Sequence, residues 1–148
     1  MARFSLLFVL FAASIAVAAP LGQRAGTASS LGSIQCNVNR LQIVSSLAAT
    51  TSAVGKIDTT DPDTATAVSA AQAGLSSASD GIKAIASSLV SGGAPPADAR
   101  TQVGTGLTAA QTALTGITDP TVAAAVSDAQ TKLATTIKDG EAVVANCN

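Results

Sequence analysis

Two cysteines and a small group of aspartates are the residues with the clearest chemical potential, because the chain has no histidine, tryptophan or tyrosine. Without histidine, neither a Ser-His-Asp nor a Cys-His nucleophilic site can be assembled. Asp58, Asp61 and Asp63 lie close together as calcium ligands do, but the glycine-centred loop and later glutamate of a calcium site are missing. We therefore expect no catalytic residue, no metal site and no cofactor.

The cysteines, Cys36 and Cys147, frame most of the chain. Two cysteines in a secreted protein usually pair, and closing a loop of this length contributes about 4–5 kcal/mol in the chain-entropy model. All three phenylalanines lie among the first eleven residues, so the core consists of smaller side chains and needs a covalent link. We predict a Cys36–Cys147 disulfide.

The N-terminus has the layout of a secretory signal peptide. A basic residue precedes an apolar run over residues 4–17, which ends in small residues that fit a cleavage site. The run is too short to span a bilayer comfortably. We expect residues 1–18 to be a signal peptide and residues 19–32 a flexible N-terminus or a short propeptide ending at Arg24. The expected localisation is secreted, extracellular or in the cell wall.

Apolar residues recur at steps of three and four along the remaining chain, which predicts amphipathic helices. The predicted helices span residues 33–54, 62–90, 96–116 and 120–145, with glycine and proline in the linkers. Two of them begin at Asp-Pro, where a capping carboxylate precedes a proline. Glycines inside the second and third helices indicate a kink near residues 76–81 and a break near Gly104 and Gly106.

Each predicted helix has one apolar stripe, which we expect to face the core. The stripes are Ile34, Val38, Leu41, Val44 and Ala48 in the first helix; Val68, Ala71, Leu75, Ala78, Ile82, Ile85 and Leu89 in the second; Val103, Leu107, Ala110, Leu114 and Ile117 in the third; and Val122, Val126, Ala129, Leu133, Ile137 and Val144 in the fourth.

The chain also contains an internal repeat. Residues 60–75 and 118–133 align without gaps, and ten of the sixteen positions are identical. Duplication of a helical hairpin and a shared low-complexity composition both explain the match, and the common Asp-Pro start favours duplication. Four up-down helices place Cys36 and Cys147 at one end, as a disulfide requires. We predict an all-α domain over residues 33–148: an antiparallel up-down bundle of four helices, one kinked or split, clasped by one disulfide.

With no catalytic groups, the apolar stripes are the candidate functional feature. One interpretation is that they only hold the bundle together. The other is that some of them line a ligand site, because helical bundles place such sites between facing helices. The candidate ligand-lining residues are Leu41, Val68, Leu75, Ile82, Leu107, Leu114, Val126 and Leu133.

A signal peptide followed by Ala/Ser/Thr-rich amphipathic helices with almost no aromatics resembles the fungal hydrophobic surface-binding proteins and cell-wall mannoproteins, or related small secreted proteins of mushroom-forming fungi. The resemblance implies a secreted, all-helical protein that binds hydrophobic surfaces, or fatty acids within a bundle. The chain departs from that family in its cysteine pair. It departs again at residues 53–57, where the family has an apolar residue before Phe-Pro. No functional residue can be transferred.

We therefore expect a non-catalytic secreted protein that binds lipids, fatty acids or hydrophobic surfaces through its apolar helices. The alternatives are a small secreted effector or signalling protein that acts on a protein partner, and a structural component of the cell wall. Nucleic acid is not an expected partner, because the chain after the expected signal peptide has neither a basic patch nor aromatic residues to stack on bases. No transmembrane segment is expected, and the oligomeric state is left open.

Overall fold

The computed structural model of the chain describes residues 28–147. These residues form four α-helices: α1 (Ala28–Val54), α2 (Pro62–Val90), α3 (Ala97–Thr115) and α4 (Ala123–Asn146), with a short 3-10 turn (Pro120–Val122) leading into α4. They pack as an antiparallel bundle, which confirms the predicted all-α class. The expected signal peptide and the processing site at Arg24 lie outside the described residues.

The helix boundaries follow the sequence signals closely. The Asp61 carboxylate caps α2 by accepting a hydrogen bond of 2.7 Å from the backbone N–H of Thr64, and Pro62 follows it at the first helical position. Two details differ from the prediction. Helix α1 begins at Ala28 instead of residue 33, and α3 runs unbroken through Gly104 and Gly106.

The bundle is made of two closely packed pairs, α2 with α3 and α1 with α4, and each pair contacts the other less extensively. The largest fully buried side chains, which include Leu75, Leu114 and Leu133, lie along the bundle interior. Between the pairs, the side chain of Gln130 in α4 donates a hydrogen bond to the Leu114 carbonyl oxygen in α3, 3.2 Å away. The core is therefore shared by both pairs, but close helix contact occurs within each pair.

Glycine brings α2 and α3 together. A Cβ on Gly74 would lie 2.6 Å from the Gly106 carbonyl oxygen, and a Cβ on Gly106 would lie 2.5 Å from the Gly74 carbonyl oxygen. Such distances are too short for any side chain, so only glycine lets the two backbones approach this closely. The predicted break at Gly106 is wrong because packing against α2 holds this residue within the helix.

Covalent and polar contacts join α1 to α4. The Cys36–Cys147 disulfide, with Cα atoms 5.0 Å apart, confirms the predicted pairing. The hydroxyl oxygens of Thr50 and Thr136, both fully buried, lie 2.9 Å apart. The Asn39 side chain donates a hydrogen bond to the Ala142 carbonyl oxygen, 3.1 Å away. This pair is thus linked at three levels along its length.

The predicted inward face of α1 is wrong. Ile34, Val38, Leu41 and Val44 are 60, 41, 72 and 51 % exposed, and Ala48 is also exposed. The buried face consists of Cys36, Asn39, Ile43, Leu47, Thr50 and Val54. This face turns inward because its polar members pair with α4, which fixes the rotation of the helix. In α4, Val144 is likewise exposed, while its neighbour Val143 packs against the core.

The two halves of the chain repeat the same burial pattern. Val68, Ala71 and Leu75 of α2 are buried, as are their sequence-matched counterparts Val126, Ala129 and Leu133 of the second half. The spacing of Ile43, Leu47, Thr50, Val54 and Ile57 recurs in Val103, Leu107, Ala110, Leu114 and Ile117. This agreement supports duplication of a helical hairpin over chance similarity of composition.

Candidate functional site

An apolar cavity of about 170 Å³ lies between the two helix pairs at the end that contains the disulfide. All four helices and the 91–96 linker contribute to its walls. The lining residues are Arg40, Ile43, Val44, Ile82, Ile85, Ala86, Leu89, Pro95, Arg100, Val103, Gly140, Val143, Val144 and Cys147. We call this space the interpair cavity.

The interpair cavity exists because the core side chains become sparse toward the disulfide end. Leu75 and Leu133 are almost fully buried between the helices. Further along, Ile82 and Val143 are only partly buried. Gly140 lets the Ile43 side chain pack against the α4 backbone, since a Cβ placed on it would lie only 3.3 Å from the Ile43 Cδ1 atom. With no aromatic residue to fill the gap, the pairs leave an open apolar space.

Two arginines border the interpair cavity from opposite helix pairs. Arg40 lies on α1 and Arg100 in the first turn of α3. A guanidinium nitrogen of Arg40 donates a hydrogen bond to the Asn37 side-chain oxygen, 3.2 Å away. Neither arginine forms an ion pair within residues 28–147, where the ion pairs are Lys83–Asp80 and Lys132–Asp128. The apolar space is thus bordered by two positive charges that have no carboxylate partner in the described chain.

The predicted ligand-lining residues are mostly elsewhere. Ile82 is the one that lines the interpair cavity. Val68, Leu75, Leu107, Leu114, Val126 and Leu133 are buried in the solid part of the core, where small residues let the helices close up. Leu41 faces outward on α1. The stripes identified core positions but do not show where the core stops filling the space between the pairs.

The opposite end of the bundle has a polar cleft between the two linkers, lined by Asp61, Asp63, Thr64 and residues 116–120. The aspartate carboxylates at this end accept hydrogen bonds from backbone N–H groups a few residues away. Hydrogen bonds from Thr64 lower the pKa of Asp61, and hydrogen bonds from Thr60 lower the pKa of Asp58. The Asp119 carboxylate accepts a 2.8 Å hydrogen bond from the Thr121 backbone N–H. Across the described residues, no cluster of His, Cys, Asp and Glu could hold a metal ion.

Both cysteines are in the disulfide, so the described part of the chain has no free thiol. None of the described helices is both long enough and apolar enough to cross a membrane. We find no match when the chain is compared with protein-family models, with functionally characterised proteins or with solved structures. The resemblance noted from the sequence therefore stays a prediction.

Proposed function

We propose that this protein is a secreted, non-catalytic lipid-binding protein that takes an acyl chain into the interpair cavity. The observation behind the proposal is the combination of an apolar space between the helix pairs with two arginines at its border. Bundles bind apolar ligands between facing helices, and a few placed polar groups then orient the ligand. The apolar lining would bury the chain, and the arginines would attract an anionic head group.

The size of the interpair cavity suits part of a chain. Its volume of about 170 Å³ slightly exceeds that of a dry apolar cavity of about 150 Å³ that takes up benzene. It is smaller than the roughly 300 Å³ at which ordinary ligand pockets begin. A long acyl chain would therefore place one segment inside, and the remainder would emerge past the exposed side chains of Val44 and Val144.

The head group is expected to be anionic. Guanidinium groups form strong, charge-assisted hydrogen bonds with carboxylates, and these are strengthened where water is partly excluded. Arg40 and Arg100 come from different helix pairs, so a carboxylate between them would also bridge the pairs. A fatty acid meets both requirements, with one apolar chain and one carboxylate.

Titration with a dansyl-labelled undecanoic acid tests the proposal. The chain contains no tryptophan or tyrosine, so the probe emission is free of intrinsic background. We expect saturable binding in the micromolar range, and Ala86→Phe should weaken it about tenfold or more by filling the interpair cavity. Ala109→Phe makes the same change at an exposed site on α3 that does not line the cavity, and should bind normally.

The arginines provide a second arm. Arg40→Gln with Arg100→Gln should weaken binding of the fatty acid more than binding of the corresponding fatty alcohol, which has no charge. Absence of probe binding at micromolar protein would contradict the proposal, as would equal loss in the Ala86→Phe and Ala109→Phe variants.

A further inference from the structure

The exposed apolar side chains of α1 lie on one side of the helix. Ile34, Val38, Leu41 and Val44 follow one another at steps of three and four, so they form a single stripe. All four are exposed, and Leu41 most of all. We call this stripe the α1 apolar face. Because scattered single residues are ordinary on a surface but a contiguous apolar set is not, this face marks a contact site.

The α1 apolar face is continuous with the mouth of the interpair cavity. Val44 belongs to the face and also lines the cavity, as does Val144 of α4. Both valines are more than half exposed, at 51 and 59 %. A ligand chain that leaves the cavity between these two side chains therefore emerges onto the α1 apolar face.

The charge distribution indicates what kind of surface this face meets. Arg40 is the only charged residue of α1, so the helix has a positive charge and no carboxylate. Four aspartates, Asp58, Asp61, Asp63 and Asp119, lie in the linkers at the opposite end of the bundle, while Asp139 and Glu141 of α4 flank the cavity-lining Gly140. An anionic surface would attract the cation beside the α1 apolar face and repel the far end of the molecule.

A second copy of the chain suits this face less well. A two-fold contact through the α1 apolar face would bring together the same helix from both copies. It would place two Arg40 side chains near each other without any α1 carboxylate to balance them. A lipid surface has no such conflict, because a long arginine side chain lets its charge reach the head groups while its neighbours enter the apolar region.

We propose that the α1 apolar face docks on an anionic lipid surface, with the mouth of the interpair cavity turned toward the lipid and the aspartate-rich end in water. Leu41 and Val38 enter the acyl boundary, and Arg40 lies at the level of the phosphates. The docking surface is where a chain passes into the cavity, so this inference rests on the proposed lipid binding.

Single-tryptophan variants locate the docking face directly, because the chain has no tryptophan of its own. Leu41→Trp places the reporter on the α1 apolar face, and Thr59→Trp places it on an exposed linker position at the opposite end. Vesicles of phosphatidylglycerol and phosphatidylcholine with brominated acyl chains should quench the first reporter and shift its emission to the blue. The second reporter should not respond. Equal responses, or none from Leu41→Trp, would overturn the proposal.

A pair of polar substitutions tests the face without a reporter. Val38→Ser with Leu41→Ser changes two exposed residues, so the thermal melt should be unchanged. Vesicle affinity should fall about tenfold or more, because apolar burial drives interfacial binding. Arg40→Gln should reduce binding to anionic vesicles to the level seen with pure phosphatidylcholine. Sedimentation equilibrium of the unsubstituted protein should show a monomer, and a dimer dissociated by the serine pair would replace the lipid surface with a second copy.

The two proposals fail separately in these experiments. If dansyl-undecanoate binds but vesicles do not, the docking face is wrong and the ligand site remains. If vesicles bind through Leu41 but Ala86→Phe leaves dansyl-undecanoate binding unchanged, the interpair cavity is not the ligand site and docking stands alone. Both proposals are supported if the serine pair removes vesicle binding only, while Ala86→Phe removes dansyl-undecanoate binding only.

Discussion

The two helix pairs of this bundle have the same burial pattern but are joined by different interactions. In the α2/α3 pair, Gly74 and Gly106 allow backbone contact, and no side-chain hydrogen bond links the two helices within the described residues. In the α1/α4 pair, a disulfide joins the helices, and a buried threonine pair lies further along. By the repeat, Thr50 and Thr136 occupy the positions that Ala110 and Ala78 occupy in the other pair.

The difference shows how two equivalent helix pairs, each made of one helix from either half of the repeat, are held together in different ways. Close packing through glycine holds the α2 and α3 backbones together at Gly74 and Gly106, while Ile82 and Arg100 of the same pair line the interpair cavity further along. The α1/α4 pair, fixed by its disulfide and buried polar contacts, does not depend on the outer stripe of α1 for packing, so that stripe stays exposed. The same pair contributes Gly140 and Arg40 to the interpair cavity. Both pairs therefore line the interpair cavity, and α1/α4 differs from α2/α3 in leaving an apolar stripe exposed.

The disulfide has the largest expected effect on this comparison. It closes a loop across 111 positions, so replacing both cysteines by serine should cost about 4–5 kcal/mol in the chain-entropy model. Hydrogen exchange should show that α1 and α4 lose protection before α2 and α3 do. An unchanged thermal melt would contradict this expectation. So would an equal loss of hydrogen-exchange protection in both pairs, because the disulfide would then not stabilise α1/α4 in particular.

The glycine contact comes next. Gly106→Ala should destabilise the protein by about 1–3 kcal/mol, because the new methyl group forces α2 and α3 apart. Gly104→Ala is the matched control on the same helix, since a Cβ at that position meets nothing within 4 Å. It should be neutral or stabilise by up to about 1 kcal/mol through helix propensity. Urea unfolding of both variants measures the change in the free energy of unfolding. Equal losses of stability would show that helix propensity, and not packing against α2, determines the effect.

The buried threonine pair should contribute less. The hydroxyls of Thr50 and Thr136 also donate to carbonyl oxygens one turn earlier in their own helices. Two hydroxyl protons therefore serve three contacts, so one hydroxyl shares its proton between a carbonyl oxygen and the other hydroxyl. Thr50→Val and Thr136→Val should each cost about 1 kcal/mol. A double-mutant cycle should give a loss smaller than the sum, because either change already removes the contact between helices. Additive losses would mean that the two hydroxyls act independently.

The α2 cap has the smallest expected effect. Hydrogen bonds from Thr64 lower the pKa of Asp61 below its ordinary value of 3.8, so the carboxylate stabilises the folded chain above that pH. The contribution is lost as the pH falls through the lowered pKa. Asp61→Asn should thus be slightly less stable than the parent at neutral pH, and the gap should narrow in acid. Urea unfolding at several pH values measures this difference in the free energy of unfolding. A difference that widens in acid would contradict the stabilising role of the Asp61 carboxylate.

The sequence predicted the parts of the fold that depend on local signals. Asp61-Pro62 predicted where α2 begins, and the cysteine positions predicted the link that the structure confirms. The face of α1 was not predicted, because Asn39 and Thr50 look like surface residues until their partners on α4 are known. Counting from Cys36 at helical steps would have found that face, since the disulfide must point toward α4.

The candidate site was less predictable than the fold. Ile82 was expected to line a ligand site and does line the interpair cavity. However, the site depends on where the core stops filling space, and apolar spacing does not encode this. The sequence also does not show that Ile43 packs against the backbone at Gly140, where a Cβ would lie 3.3 Å from its Cδ1 atom. The sequence does not indicate the two arginines as a site, because they are far apart along the chain and line one cavity only through the fold.

The central claim is that the space between the helix pairs binds an acyl chain. Methyl NMR spectra recorded with a stearic acid that has a nitroxide near its chain end test this most directly. The account predicts strong paramagnetic broadening of the Ile85 and Val143 methyl groups, which line the interpair cavity. The buried methyl groups of Val68 and Val126 should stay sharp. Broadening that is absent, or equal at all four residues, would contradict the claim.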